Sequence, residues 1–472
     1  MGHYERLSAL DASFLEIEDE NSHMHVAATL LLDAAPLLLP HGGLDVERVR
    51  AYVESRLHLM PRYRQRLAWI PLERHPVWVD DARFNLFYHV RHAALPRPGE
   101  ERQLKRLCGR ILSQKLDVTK PLWEIWVVEG LADNRFALII KAHHSMVDGV
   151  SGMDLLTILL APTPERRFEP APPWHPRPAA SMAELVGGEL WRRGTAPIRL
   201  AQAAGGALAR PWQAIASARD VVEGLVEAVA TAREPASETP LNPSIGPHRR
   251  FDWLRLGVDD VKAVKSRWGG TLNDVVLATV AGGVRRFLIK RGVRTDGLDF
   301  RALVPVSVRS AAERGRLGNR VAQMLASLPI AERDPLRRYR AVVETTGQLK
   351  RSHVVEGTEL IEEVSNWTAT ALLTEIMRLS VQRRVYNVIV TNVPGPAIPL
   401  YFLGAPVLAA YPMVPLFGNQ AVGVALFSYA GGLFWGINAD WDAMPDLHDL
   451  VWALRDEFAD LQQRALSDAS AA

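Results

Sequence analysis

Between Val385 and Ala439 the chain carries no Asp, Glu, Lys or Arg. A run that long without charge must be buried in protein or in lipid. Pro394, Pro396, Pro399, Pro406, Pro412 and Pro415 interrupt it, and a membrane helix broken so often leaves backbone groups unsatisfied in lipid. Tyr386–Val390 and Val422–Phe427 read instead as strands buried on both faces. The segment is therefore expected to be the sheet core of a folded α/β chain, not a transmembrane span. The rest supports that class: 48% of residues are hydrophobic and 23% charged, enough to build a large core. At roughly 100–200 residues per domain, 472 residues suggest two to four domains.

Lys and Arg number 55 against 53 Asp and Glu, a formal net charge of +2. Phosphate binding needs concentrated positive charge, so a nucleic-acid partner is not expected. The single cysteine, Cys108, excludes an internal disulfide and cysteine-rich zinc sites, suits a reducing compartment, and is read as a packing residue. Met1–Arg6 lacks the apolar core of a signal peptide, and charges run on through Glu16–Glu20, so export is not expected.

Strand-like and helix-like pieces alternate up to about Leu160. His25–Leu32 reads as a strand, Leu44–Leu59 and Glu101–Leu116 as helices. Glu124–Glu129 and Arg135–Ala142 read as strands joined by the turn Ala132–Asn134, and Ser151–Leu160 as a helix. Prolines from Pro162 to Pro178 favour an extended linker. Alanine-rich sequence from Met182 to Arg233 reads as one or two helices broken at Pro197 and Pro211. The α/β style then returns: a strand at Phe251–Leu256, helices at Val258–Arg267 and Thr271–Arg291, a strand at Phe300–Val306. Helices at Asp334–Arg351, Thr358–Ser380 and Asp446–Ala465 follow. The expected division is 1–180, an α/β domain; 181–248, a proline-flanked helical linker; and 249–472, a second α/β domain.

The chemistry concentrates at His143-His144-Ser145-Met146-Val147-Asp148-Gly149, at the carboxyl end of a strand and before a helix. Open α/β sheets place ligands there. Alternation along a strand sends His143 and His144 to opposite faces, so they cannot chelate one metal together; one faces inward and the other a cleft. A neutral imidazole there suits proton abstraction near pH 7. Asp148 can fix the loop, and Gly149 allows the backbone turn. No His-Glu-x-x-His zinc motif, P-loop or Gly-x-Gly-x-x-Gly turn occurs. Gly149-Val150-Ser151-Gly152-Met153 lacks the last glycine of a nucleophile elbow. Thr271-Leu272-Asn273-Asp274 has a capping-box pattern in which Asp274 closes the box. Asn273, in the first helical turn, is placed to donate to an oxyanion. Pro121-Leu122-Trp123 precedes a strand, sets its entry, and is a candidate lining for a substrate channel.

His143–Gly149 resembles the signature of the chloramphenicol acetyltransferase-like superfamily, which includes peptide-synthetase condensation domains. Across the whole chain the sequence resembles the bacterial wax ester synthase/diacylglycerol acyltransferase family. The motifs carrying this, in order, are Leu7–Phe14, Pro121-Leu122-Trp123, His143–Gly149, Asn273-Asp274, Val304–Arg309 and Asn392-Val393-Pro394-Gly395-Pro396. The resemblance implies two similar α/β halves around an active-site tunnel. It implies acyl-CoA as donor and co-substrate, no permanently bound cofactor or metal, and a long-chain alcohol or diacylglycerol as acceptor. His144 is then the general base and His143 structural. Asp148 is expected to pair with an arginine, for which Arg64 is the candidate. Gly149, Pro121, Leu122, Trp123 and Asp274 are the expected substrate-side residues, and Asn273 joins His144 in catalysis.

Such products imply a cytoplasmic protein lying at the inner membrane or lipid inclusions. Pro36–Pro40 and the Trp191–Trp212 helices are candidates for apolar contact. Two alternatives stand beside this: carrier-linked condensation in peptide or polyketide synthesis, and a non-catalytic lipid-droplet scaffold.

Overall fold

The computed structural model describes residues 3–40, 42–71, 73–146, 151–209, 235–307, 321–351 and 383–470. In chain order the first half runs β1 (Glu5–Arg6), α1 (Ala9–Ile17), β2 (His25–Asp33), α2 (Val46–Arg56), β3 (Gln65–Trp69), β4 (Pro76–Asp80), α3 (Leu86–His89), β5 (Val90–Ala94), α4 (Glu101–Leu112), β6 (Trp123–Leu131), β7 (Arg135–His143) and α5 (Ser151–Leu159). An extended strap then leads to α6 (Met182–Ala209). The second half comprises β8 (Arg249–Gly257), α7 (Val258–Trp268), α8 (Leu272–Lys290), β9 (Phe300–Ser307), β10 (Val321–Leu328), α9 (Pro335–Arg351), β11 (Val388–Pro394), β12 (Tyr401–Phe402), β13 (Ala405–Met413), β14 (Val422–Tyr429), β15 (Gly432–Asp440) and α10 (Leu447–Ser470).

Two six-stranded mixed sheets carry the fold, in the orders β12-β13-β2-β7-β6-β5 and β10-β9-β11-β14-β15-β8. The charge-free segment supplies β11 to β15, and every residue of β15 is buried. The chain crosses between the halves here. β12 and β13, from residues 401–413, are strands of the first sheet, where β13 pairs antiparallel with β2 (Pro412 opposite Ala28). β13 also lies against β15 so closely that a Cβ on Gly436 would stand 1.8 Å from the Pro412 carbonyl oxygen. Only glycine permits that approach. Phe251, Trp253, Phe427 and Phe434 of the second sheet consequently pack into the first half's core.

Local sequence explains the element ends. Ser8 caps α1 by accepting from the Asp11 amide (3.0 Å), and Asp45 caps α2 from Arg48 (3.0 Å). Asp133 and Asn134 turn between β6 and β7 with φ of 58° and 54°, a region these two residues tolerate. The proline-rich strap has no regular structure and is pinned by side chains: Phe168 on Tyr52, Trp174 beside Phe84, and Arg177 on Asp80 (2.9 Å). One expectation fails. α6 continues through Pro197 instead of breaking there. Proline removes the donor that Arg193 O would use. In the turn before it the Thr195 hydroxyl lies 2.9 Å from Trp191 O and 3.2 Å from Arg192 O, neither of them the carbonyl that proline deprives of a donor. Pro211 and the expected helix at Thr358–Ser380 lie outside the described residues.

In the second half α10 and α9 pack on α8. Gly282 and Gly283 sit mid-helix, where each costs about 1 kcal/mol against alanine. Their use is close packing: a Cβ on Gly282 would meet Glu457 Cδ at 2.0 Å, and one on Gly283 the Leu454 side chain at 2.6 Å.

Candidate active site

The first sheet brings the histidine motif to the end of β7, where His143 stands opposite His25 of β2 and Ala142 opposite Trp123 of β6. His143 is 1% exposed. Its Nδ1 accepts from the Ser145 amide (3.1 Å) and lies 2.7 Å from the Ser145 hydroxyl, so the ring proton of the neutral form is on Nε2. Burial, then His144 and Lys115, lower its pKa to about 3. His144 leaves the strand in a short 3-10 turn and is half-buried. Its backbone N–H donates to Met24 O (2.7 Å), and its ring lies against Phe14, with centroids 4.1 Å apart. Burial lowers its pKa to about 4. The imidazole is therefore neutral at physiological pH and competent to accept a proton. Nδ1 of His144 has no hydrogen-bond partner among the described residues.

The surroundings of these histidines come from residues that sequence reading had not placed in the site. Glu18, just past α1, is buried, and burial raises its pKa against the pull of Lys115. Its carboxylate accepts from the Met24 amide (3.2 Å) and pairs with Lys115 Nζ (3.1 Å). The Nε2 atoms of His25 and His143 stand 3.6 and 3.8 Å away. Glu18 thus fixes Met24, whose carbonyl fixes His144. The available signal was the opening motif Leu7–Phe14, read only as a family mark: α1 packs against the turn bearing His144. Lys141, fully buried on the His143 face, donates to Ile111 O (3.1 Å) and Gln114 O (2.8 Å) at the end of α4, with Glu124 3.6 Å away. Burial lowers its pKa to about 8.

Pro121, Leu122 and Trp123 are all buried. The Leu122 carbonyl accepts from the His143 amide (2.9 Å). Trp123 donates Nε1 to Tyr63 O (2.8 Å) and stacks on His89 with centroids 4.6 Å apart. This motif anchors the strand end that carries the histidines. Arg64, one residue past Tyr63, is 5% exposed. Its Nε lacks a partner among the described residues, and its guanidinium lies 5.1 Å from the Trp174 ring centre. Burial lowers its pKa, opposed by Glu54. Asp148 and Gly149 lie outside the described residues.

In the second half Asp274 closes a capping box with Thr271. Its carboxylate accepts from the Thr271 amide (2.6 Å) and hydroxyl (2.8 Å), and from the hydroxyl of Thr346 (2.6 Å) on α9. Asn273, beside it, is half-buried and accepts at Oδ1 from Asn392 Nδ2 (2.7 Å). The Asn-Asp and Asn-Val-Pro-Gly-Pro motifs therefore touch, and the contact turns the Asn273 N–H bonds away from Asn392. Asn273 and His144 make no hydrogen bond to one another. Among the described residues no cluster of three or more His, Cys, Asp or Glu is placed to hold a metal. None of their helices is long and apolar enough to cross a membrane.

Two mixed α/β halves, with a histidine pair at a strand end of the first, make up a fold of the condensation-domain kind. The first condensation domain of the calcium-dependent antibiotic synthetase superimposes with a TM-score of 0.58, at 16% identity over 98% of this chain and 96% of that one. The wax ester synthase/diacylglycerol acyltransferase of Marinobacter aquaeolei VT8 reaches 0.68, at 26% identity over 98% and 99%. Residues 7–276 match the wax ester synthase/diacylglycerol acyltransferase catalytic domain, and 317–462 the C-terminal domain of the same family. The probable diacylglycerol O-acyltransferase tgs1 of Mycobacterium tuberculosis (strain H37Rv) is 34% identical over 465 residues, 96% of this chain and 95% of the relative. The chain belongs to the wax ester synthase/diacylglycerol acyltransferase family.

Proposed function

We propose that this chain moves a long-chain acyl group from acyl-CoA to the hydroxyl of a fatty alcohol or diacylglycerol, with His144 as general base. The observation that carries this reading is His144 itself: a half-buried imidazole at the end of β7, pressed on Phe14 and kept neutral by burial. As His144 removes the hydroxyl proton, the alkoxide oxygen attacks the thioester carbonyl. A tetrahedral oxyanion forms and collapses to the ester with loss of a CoA thiolate, a far weaker base than an alkoxide. His144 then returns its proton to the thiolate. No covalent acyl-enzyme is required. The Asn273 amide, aligned by Asn392, is the oxyanion donor in this scheme. His143, locked by Ser145, holds the strand end, and Arg64 is the partner of Asp148.

Acceptors this apolar are delivered from a lipid surface. Exposed Leu190 and Trp191 on α6, 66% and 72% accessible, and Leu38, 44% accessible, support peripheral contact.

The test measures CoA release from palmitoyl-CoA with hexadecanol, with dioleoylglycerol, and with no acceptor, for wild type and His144→Ala. Acceptor-dependent release that falls by roughly 10²–10⁴ in the variant is expected, the range for a lost general base. Release from neither lipid acceptor by folded wild type sinks the reading, and undiminished release by the variant removes His144 from it.

A further inference from the structure

On the edge of the second sheet, two indoles stand beside a set of arginines. Trp441, just past β15, and Trp452 on α10 are 44% and 47% accessible. The guanidinium of Arg250 on β8 lies 3.7 Å from the Trp441 ring centre, and that of Arg455 lies 5.2 Å from Trp452. Arg102, Arg106 and Arg110 are exposed along one face of α4, four residues apart. α4 crosses β8 so closely that a Cβ on Gly109 would meet the Arg249 carbonyl oxygen at 2.7 Å and the Arg250 Cα at 3.6 Å. The row on α4 therefore runs up to Arg250 and Trp441.

A relay of side chains holds the three elements together. Lys105 of α4 pairs with Asp252 of β8 (2.7 Å), whose other oxygen lies 2.8 Å from His448 Nδ1 on α10. Trp452 donates its indole N–H to His448 Nε2 (2.6 Å). The polar handle of this exposed indole is thus satisfied within the protein, and entering an apolar phase costs it no hydrogen bond. The arginines have no such partners. Among the described residues Arg102, Arg106, Arg110, Arg250 and Arg455 make no ion pair, while Glu101 and Asp252 are both held by Lys105. Asp442 and Asp456, beside Trp441 and Arg455, are the exposed acids. Like charges four residues apart weaken a helix, and Arg102 stands in the first turn of α4, where the helix dipole disfavours a cation. A partner that supplies phosphates offsets both effects.

We propose that this face, formed by α4, β8 and the N-terminal part of α10, docks the protein on a bilayer containing anionic phospholipid. Lipid phosphates meet the arginines, and the two indoles enter the boundary between headgroups and acyl chains, the depth at which Trp is enriched. Dependence on lipid charge separates this face from the apolar contact of α6 and Leu38. The choice of a lipid surface over an acidic protein rests on the acyl-transfer reading, whose acceptors are held there.

The test sediments the protein, without substrate, on vesicles of phosphatidylcholine and on vesicles of phosphatidylcholine mixed with phosphatidylglycerol. Each arginine at an anionic surface contributes roughly five-fold in affinity, so wild type is expected to bind the mixed vesicles about 25-fold more tightly or better. Raising the salt from about 50 to about 500 mM should abolish that preference. Arg106→Gln combined with Arg110→Gln should weaken binding to the mixed vesicles by roughly 25-fold and leave neutral vesicles unaffected. Trp452→Ala should weaken binding to both kinds alike; if it lowers the urea midpoint, Trp441→Ala takes its place. Equal binding of wild type to both vesicles overturns the proposal. So does an arginine variant that keeps the preference, or a tryptophan variant that binds as wild type does. Polyglutamate that strips wild type from the mixed vesicles at equal charge overturns it in favour of an acidic protein. The measurement needs no turnover: an active enzyme indifferent to lipid charge sinks the docking face alone, whereas absent CoA release counts against the acyl-transfer reading.

Discussion

In the proposed reaction His144 serves as a base because of what covers it. A solvated imidazole has a pKa near 6.5; at about 4, burial keeps this one unprotonated well below neutrality. The base is competent above its pKa, so the acid limb of kcat/KM, which reports the free enzyme, is expected near pH 4 and not near 6.5. Phe14→Ala admits water to the ring and should move that limb upward by about a unit or more, since desolvation is the dominant cause of the shift. A pH–rate profile of both proteins measures this; coincident limbs remove Phe14 from the tuning of His144. Within the motif, the histidine pair and its strand-end position were legible because strand alternation and a turn of small and polar residues are local signals. Phe14, Glu18 and Met24 were not, because more than a hundred residues separate them from His144 and no spacing rule links the two.

At the scale of elements, the last helix depends on a buried charge. Arg338 of α9 and Glu457 of α10, 2% and 1% exposed, hydrogen-bond to one another, and Arg286 of α8 adds a second contact to Glu457 at 2.9 Å. Three helices thus share one carboxylate, passing over Gly282 where no other residue fits. Glu457→Ala leaves Arg338 buried without its anion and should cost about 3–5 kcal/mol, read as a lowered urea midpoint. Adding Arg338→Met should recover much of it. A loss below about 1 kcal/mol in the single variant would show that water relaxes into the gap and solvates Arg338. Sequence periodicity located α8 and α10 but was silent on this carboxylate, since amphipathic patterns report which face is buried and not which ions meet there. Pro197 shows the opposite error, a strong local breaker signal through which the helix nevertheless continues. The charge-free strands were legible from composition; the sheet that β13 joins was not, because any buried strand pattern fits either sheet.

At the scale of the whole molecule, β13 couples the halves, wedged between β2 and the face of β15. Gly436→Ala places a methyl group on the Pro412 carbonyl, and overpacking of this kind costs typically about 1–3 kcal/mol. Because Pro412 pairs with Ala28, three residues from His25, the displacement reaches the strand that supports His143. Both the melting temperature and kcat/KM should fall. The control is Gly187→Ala on α6, where no atom lies within 4 Å of the new methyl and a slight gain in stability is expected. A Gly436→Ala enzyme with wild-type melting and turnover would mean that β13 moves freely against β15.

That same strand also bears on how the chain is made. During synthesis β2 and β7 emerge early, yet the partner for the free side of β2 lies at residues 405–413. Until the ribosome has passed that point, the nascent first half presents an unpaired hydrophobic strand edge, a template for association with other chains. A gene cut between the halves would leave the same edge open for good. Duplication or exchange of either half alone is accordingly a poor route to new members of this architecture, and the two halves are bound to evolve as one heritable unit.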